Sequence, residues 1–370
     1  MSPCEDYPFF QKFKFLHFNF LKKMNNLIFY FYCINAQLLS LIYFFQNGLV
    51  KPFFKKIKSF KKFSNINSMG NKTTSHTSTT FQNLKEVPTT LYHPQCVLHK
   101  HEILICGSDS NKTLKLEDNN NRNKVTLLSF GSDWEGNNRH TLVMKYISVW
   151  NSDNDNEMKS NNYNKWVPFT DDNNNPIDIG REYENYIGVR TVIGGRNNNL
   201  LFITYTKNNI SVFNLNTFQF IKHDTLPISG YIQEHCFISN SENGQGQEVT
   251  KTNKQNDQML LFYKKIGLSI EYDEDNNTFQ FHQLPVCDDI APLSAYAYVR
   301  INDAILFFGG AGKVYSKSVY QYSTQDNTWI KFKHTLPIPL CYCFGILNEN
   351  RLMCISLEDL IIKIIQYQLT

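Results

Sequence analysis

An all-β fold assembled from a repeated unit is what the sequence predicts, on three observations. An ordered set of four features recurs three times between residues 200 and 337. These are an apolar run, an alternating strand, an Asn-Thr pair followed by an aromatic residue, and a Leu-Pro stop. The aromatic residue stands at 218, 279 and 329 and Leu-Pro begins at 226, 284 and 336, so successive units lie 50 to 61 residues apart. Hydrophobic residues make up 42% and aromatic residues 14% of the 370, ample for a packed interior and too many for wholesale disorder.

The elements follow in chain order. Residues 1–68 read as an extension outside the repeats. Residues 1–62 hold ten Lys, no Arg and two acids, a net charge of +8, which leaves 27 basic and 31 acidic residues in the rest. The body lacks the basic balance that phosphate neutralisation needs, so nucleic acid is not an expected partner. No charged side chain stands between Lys23 and Lys51, and Leu27–Phe45 is apolar apart from Asn35, Gln37 and Ser40. As a helix this run would span about 28 Å, close to the roughly 30 Å of a bilayer core, which makes residues 27–45 a candidate membrane helix. Six Lys follow the run and four precede it, an asymmetry that favours a cytosolic body. The same Lys, Phe, Asn and Ile content is what AT-rich codons produce, so translated upstream sequence is an equal reading of this segment. Residues 69–83 read as a polar linker. It opens Met69-Gly70-Asn71-Lys72-Thr73-Thr74, the form of an N-myristoylation signal, and Gly70 would be the acylated residue if synthesis began at Met69.

The repeats occupy residues 84–356. The clearest unit is Ile305-Leu306-Phe307-Phe308-Gly309-Gly310, then Val319-Tyr320-Gln321-Tyr322, then Asn327-Thr328-Trp329, then Leu336-Pro337. An apolar run that stops at Gly-Gly is a buried strand whose end turns tightly, where glycine permits positive φ. Trp329 begins a further strand with a large group to bury, and Pro337 cannot donate to a ladder. Met259–Phe262, Ser269–Tyr272, Asn277-Thr278-Phe279 and Leu284-Pro285 repeat the order, as do Leu200–Ile203, Val212–Leu215, Asn216-Thr217-Phe218 and Leu226-Pro227.

At these residues the chain resembles the kelch repeat. Gly309, Gly310, Tyr322 and Trp329 stand where that family has its double glycine, tyrosine and tryptophan. The units at 200–227 and 259–285 depart from the pattern, with no Gly-Gly and with Phe218 and Phe279 in place of Trp. The resemblance implies a β-propeller of four-stranded blades. Whether its ring is complete stays open at this point. The runs ending at Gly107 and Gly131 lie only 24 residues apart, and the unit opening at Leu352 lacks its Gly-Gly, Tyr and Trp. Residues 357–370 read as a tail or a partial blade, and an incomplete last blade would leave a strand edge open.

Chemistry is sparse. Cys341-x-Cys343 is a single pair with no second pair or nearby His, which fits buried thiols better than zinc. Nine scattered Cys fit a reducing compartment. His99 and His101 share a strand face without carboxylate or Cys partners at ligand spacing. Gly194-Gly195 between Arg190 and Arg196 lacks the spacing of a phosphate loop, and Gly244-x-Gly246 lies in a polar insertion. The copper-oxidase chemistry of some kelch-like propellers needs a His/Tyr metal set that this sequence does not show. The expected function is a non-enzymatic scaffold in the cytoplasm that binds an unidentified protein partner through propeller loops, with no catalytic residues, cofactor or metal. Two alternatives stay open. One is a propeller enzyme or sugar-binding domain with a central pocket; the other is a truncated, fold-damaged repeat protein. Membrane anchoring through residues 27–45 is the minority localisation.

Overall fold

The computed structural model describes residues 30–35, 38–44, 80–86, 95–99, 102–106, 111–116, 124–132, 135–137, 139–148, 163–181, 183–240, 256–348, 351–358 and 361–368. Met69, Gly70, His101, Gly107, Gly244 and Gly246 lie outside them. The described residues form strands and no helix. In chain order the first strands are β1 (Tyr30–Asn35), β2 (Leu38–Phe44), β3 (Thr80–Glu86), β4 (Gln95–His99) and β5 (Glu102–Cys106). Next come β6 (Asn111–Leu116), β7 (Lys124–Gly131), β8 (His140–Ile147) and β9 (Val167–Pro168), then β10 (Arg190–Gly194), β11 (Leu200–Tyr205), β12 (Asn209–Asn214) and β13 (Gln219–Thr225). Then follow β14 (Cys236–Ser239), β15 (Asn256–Tyr263), β16 (Ile266–Asp273), β17 (Thr278–Gln283), β18 (Ala297–Ile301), β19 (Ala304–Phe308), β20 (Val319–Ser323) and β21 (Thr328–Lys331). The last are β22 (Phe344–Asn348), β23 (Arg351–Glu358) and β24 (Ile361–Gln368).

These strands make antiparallel sheets of four. Four sheets are meanders of consecutive strands, β6–β9, β10–β13, β14–β17 and β18–β21, and two recruit strands from afar, in the orders β1-β2-β5-β4 and β22-β23-β24-β3. Burial explains why the apolar runs sit second in each meander. Every residue of β11 is buried, because a neighbouring sheet covers each of its faces. The outermost β13 alternates exposed and half-buried residues and meets the core on one face only.

The core is a series of interfaces between successive sheets. Val97 and Leu104 pack with Leu127 and Met144, and Leu128 and Phe130 pack with Leu201 and Ile203. Val192 and Phe202 meet Leu261 and Ile270, Leu260 and Phe262 meet Phe307 and Tyr320, and Ala297 and Phe308 meet Leu340 and Cys343. The first and last sheets come together where β22 lies beside β4. The architecture is propeller-like, with β4, β6, β10, β14, β18 and β22 as the inner strands.

Several expectations change. Residues 30–35 and 38–44 of the candidate membrane helix are strands: Tyr30–Asn35 pairs with Leu38–Tyr43, and Ser40–Phe44 pairs with β5. No helix of the described residues is long and apolar enough to cross a membrane. A run of apolar residues has no periodicity of its own, so tertiary pairing decides between helix and strand. This hairpin belongs to the first sheet, so part of the extension lies within the sheet architecture. The last sheet is not left short either. β24 falls in the region read as a tail or a partial blade, and β3 pairs with it from far earlier in the chain, giving a full complement of four strands.

The residues singled out in the repeats hold the following places. Gly309 and Gly310 follow β19 with φ of 69° and 112°. A Cβ on Gly309 would stand 2.3 Å from the Leu340 carbonyl oxygen. Tyr322 is fully buried and donates its hydroxyl to Asn327 Oδ1 at 2.6 Å, and Tyr272 does the same to Asn277 at 2.7 Å. Trp329 is half-buried rather than enclosed. Its ring packs on Phe262 and Phe307, and its Nε1 donates to the Pro285 carbonyl at 2.7 Å. The third aromatic is Phe220, not Phe218. Tyr322 faces Trp329, Tyr272 faces Phe279 and Phe213 faces Phe220, each seven residues later. Phe218 instead holds the turn position of Asn277 and Asn327, with φ of 57° against 54° at each Asn.

Candidate functional site

Antiparallel meandering dictates where a site can form. All inner strands begin at one end of the central channel, and the loops entering them lie there together with the loops joining second and third strands. Arg190 and Cys236 are the first residues of β10 and β14, and Cys96, Lys112 and Tyr298 are the second residues of β4, β6 and β18.

Arg190 is 8% exposed and forms a close ion pair with Glu234, which enters from the loop before β14. Its Nη1 also donates to the Val189 carbonyl at 3.0 Å. The pair is possible because two loops abut: Glu234 N–H donates to the Gly188 carbonyl at 3.2 Å. Gly188, at φ of 66°, has no room for a Cβ, which would meet Gln233 Cγ at 2.3 Å. Beside the pair, His235 is fully buried, with Nε2 2.6 Å from Thr204 Oγ1 and no hydrogen-bond partner at Nδ1. Burial, then the Arg190 and Lys112 charges, hold the His235 imidazole well below its usual pKa, so it is neutral. Lys112 is half-buried. Burial and then Arg190 push its ammonium down to about 7, although Glu234 pulls the other way.

A cavity of about 10 Å³ lies among Arg190, Glu234, Tyr296, Tyr342, Cys343 and Phe344, room for one water. A second buried polar cluster lies between the first two sheets, where Glu102 accepts hydrogen bonds from Tyr146 at 2.8 Å and from Ser148. Its acceptors are used within the protein.

Around the channel end the loops carry exposed aromatics. Tyr183 is 73% exposed, Tyr231 70% and Tyr315 53%, with Tyr342 at the cavity rim. Their loops are β9–β10, β13–β14, β19–β20 and β21–β22, all at this end. Tyr315 bridges to Ala311, which bridges to Ser294, and Tyr342 N–H donates to the Ala295 carbonyl at 2.9 Å, so the β19–β20 and β21–β22 loops are joined through the β17–β18 loop, while the β9–β10 and β13–β14 loops abut at Gly188 and Glu234.

Residues singled out in the sequence are dispersed. Cys343 reaches the cavity and His99 packs edge-on against Tyr146. Gly194-Gly195 is the β10–β11 turn, where Gly195 N–H donates to Asp257 of the next sheet at 2.8 Å. Gly309, Gly310, Tyr322 and Trp329 hold the sheets rather than line the channel. Among the described residues no three metal-ligating side chains converge. Sequence reasoning missed Lys112, Glu234 and His235, which lie far apart in the chain. The usable signal was position, at or just before an inner strand.

No family model matches the chain, and no curated protein does. Among solved structures, the one titled "Structure of YjhT" is similar over 76% of this chain and 96% of that one, at 11% identity and a TM-score of 0.46.

Proposed function

We propose that this chain is a kelch-type propeller acting as a non-enzymatic protein-interaction scaffold, which docks its partner on the end where the inner strands begin. The observation that carries the reading is the set of exposed tyrosines on two pairs of abutting loops there. Tyrosine covers much apolar area at little entropic cost and is enriched at interface hot spots. The kelch reading rests on Gly309-Gly310, Tyr322 and Trp329 and on the seven-residue interval to each aromatic.

Quantitative comparison of co-purifying proteins tests this. A specific partner should be retained by a chain carrying Ile221→Ser and Ile330→Ser on the outer strands. It should be lost from one carrying Tyr183→Ser, Tyr231→Ser and Tyr342→Ser. A partner lost only with the outer-strand changes would move the interface elsewhere.

A further inference from the structure

We propose that the β19–β20 and β21–β22 loops form a docking surface for a bilayer carrying anionic lipid, which the chain touches from outside without crossing it. This goes beyond the scaffold reading and does not depend on it. Two exposed segments set apolar and basic residues side by side, Lys313-Val314-Tyr315 on the first loop and Lys331-Phe332-Lys333 at the start of the second. Val314 is 77% exposed, Tyr315 53% and Phe332 38%. The first tip is held as a turn: Ala311 bridges to Tyr315, and Gly312 N–H donates to the Val314 carbonyl at 3.3 Å. The two loops also hold each other. Leu336 and Leu340 N–H groups donate to the Lys317 and Ser316 carbonyls at 2.8 and 3.1 Å, and Lys317 Nζ donates to the Pro337 carbonyl at 3.1 Å.

Charge selects the occupant. Residues 304–343 contain four Lys, no Arg and one acid, Asp326. Asp326 stands in the β20–β21 turn at the opposite end, where it accepts from Ser323. The β17–β18 loop brings Asp288 and Asp289 to the lysine end, and Asp289 is committed to Lys331 at 2.8 Å. Lysine is depleted where proteins pack on proteins, because its ammonium is strongly hydrated and its stem flexible. At a bilayer surface both properties serve. The stem lies along apolar surface while the ammonium stays among lipid phosphates, and tyrosine sits at headgroup level. Val314 and Phe332 then enter the boundary between headgroups and acyl chains.

Sedimentation of the full chain with vesicles tests this, using phosphatidylcholine alone or mixed with phosphatidylserine. The chain should follow the mixed vesicles at about 0.1 M salt, leave them at about 1 M, and ignore phosphatidylcholine alone. The ten Lys of residues 1–62 are attracted to the same vesicles, so substitutions locate the contact. Lys313→Gln with Lys333→Gln should weaken partitioning about thirtyfold, at roughly fivefold per lysine. Val314→Ser with Tyr315→Ser should weaken it severalfold. No binding to mixed vesicles, unchanged binding in the Lys313/Lys333 variant, or an equal loss in Lys145→Gln with Lys222→Gln on other sheets would overturn the proposal and leave these lysines to an acidic protein. Hydrogen exchange on the unsubstituted chain gives a reading that needs no variant. Mixed vesicles should slow exchange at residues 312–315 and 331–335, and unaltered exchange there sinks the idea whatever the extension does.

Discussion

Phe218 sits where its two counterparts are asparagines, in a left-handed conformation that asparagine tolerates and phenylalanine does not favour. Its compensation is an edge-on contact with Phe169 at 5.1 Å. In the same unit Phe213 replaces the tyrosine that bonds to asparagine elsewhere, so tyrosine and asparagine are lost together. Phe213→Tyr alone should destabilise by about 1–3 kcal/mol, because its buried hydroxyl lacks the asparagine. Adding Phe218→Asn should recover about 1 kcal/mol or more beyond additivity, measured as a double-mutant cycle in urea. A coupling near zero would mean that the turns are not equivalent. Glycine tests the same logic. Gly309→Val meets a carbonyl at 2.3 Å with φ of 69°, whereas Gly267→Val meets one at 2.8 Å without positive φ. The first should cost more, by about 1–2 kcal/mol of αL strain on top of the clash. Equal losses would deny Gly309 its backbone role.

At the scale of the strand, Trp329 joins two sheets: it lies on β21 yet packs against Phe262 of β15 and bonds to Pro285. Trp329 is only partly buried, so Trp329→Ala should cost about 2–3 kcal/mol in chemical unfolding, below the roughly 3–5 kcal/mol of an enclosed tryptophan. A loss under about 1 kcal/mol would show that the joint carries little. The element order around Trp329 was legible because β19, β20 and β21 follow one another and each leaves a local pattern. The assignment at Phe218 failed because Asn216-Thr217 mimics the later Asn-Thr pairs while the true register places Phe220 opposite Phe213. A bulge between Val212 and Phe213 accompanies that register. Nor could β3 be matched with β24, since pairing across more than 270 residues leaves no local trace in either strand. The channel end was illegible for the same reason: Lys112, Arg190 and His235 meet only after three sheets have packed.

For the whole molecule, the first and last sheets depend on distant strands. Residues 30–44 supply half of the first sheet, so a chain cut before Met69 should leave β4 and β5 as a pair. Its thermal transition should fall below that of the full chain and lose cooperativity, because a two-stranded hairpin is marginal alone. An unchanged transition would show that the sheet does not need the hairpin. The pairing of β3 with β24 bears on synthesis as well. A ribosome delivers the chain from its amino end, so β3 emerges early and waits until nearly the last residue before its partner exists. Through that interval β3 has an unpaired edge, and the four central sheets have time to form first. Closure is the slow, high-contact-order step of folding, and premature termination anywhere before residue 361 yields a polypeptide primed to pair with its neighbours instead of with itself.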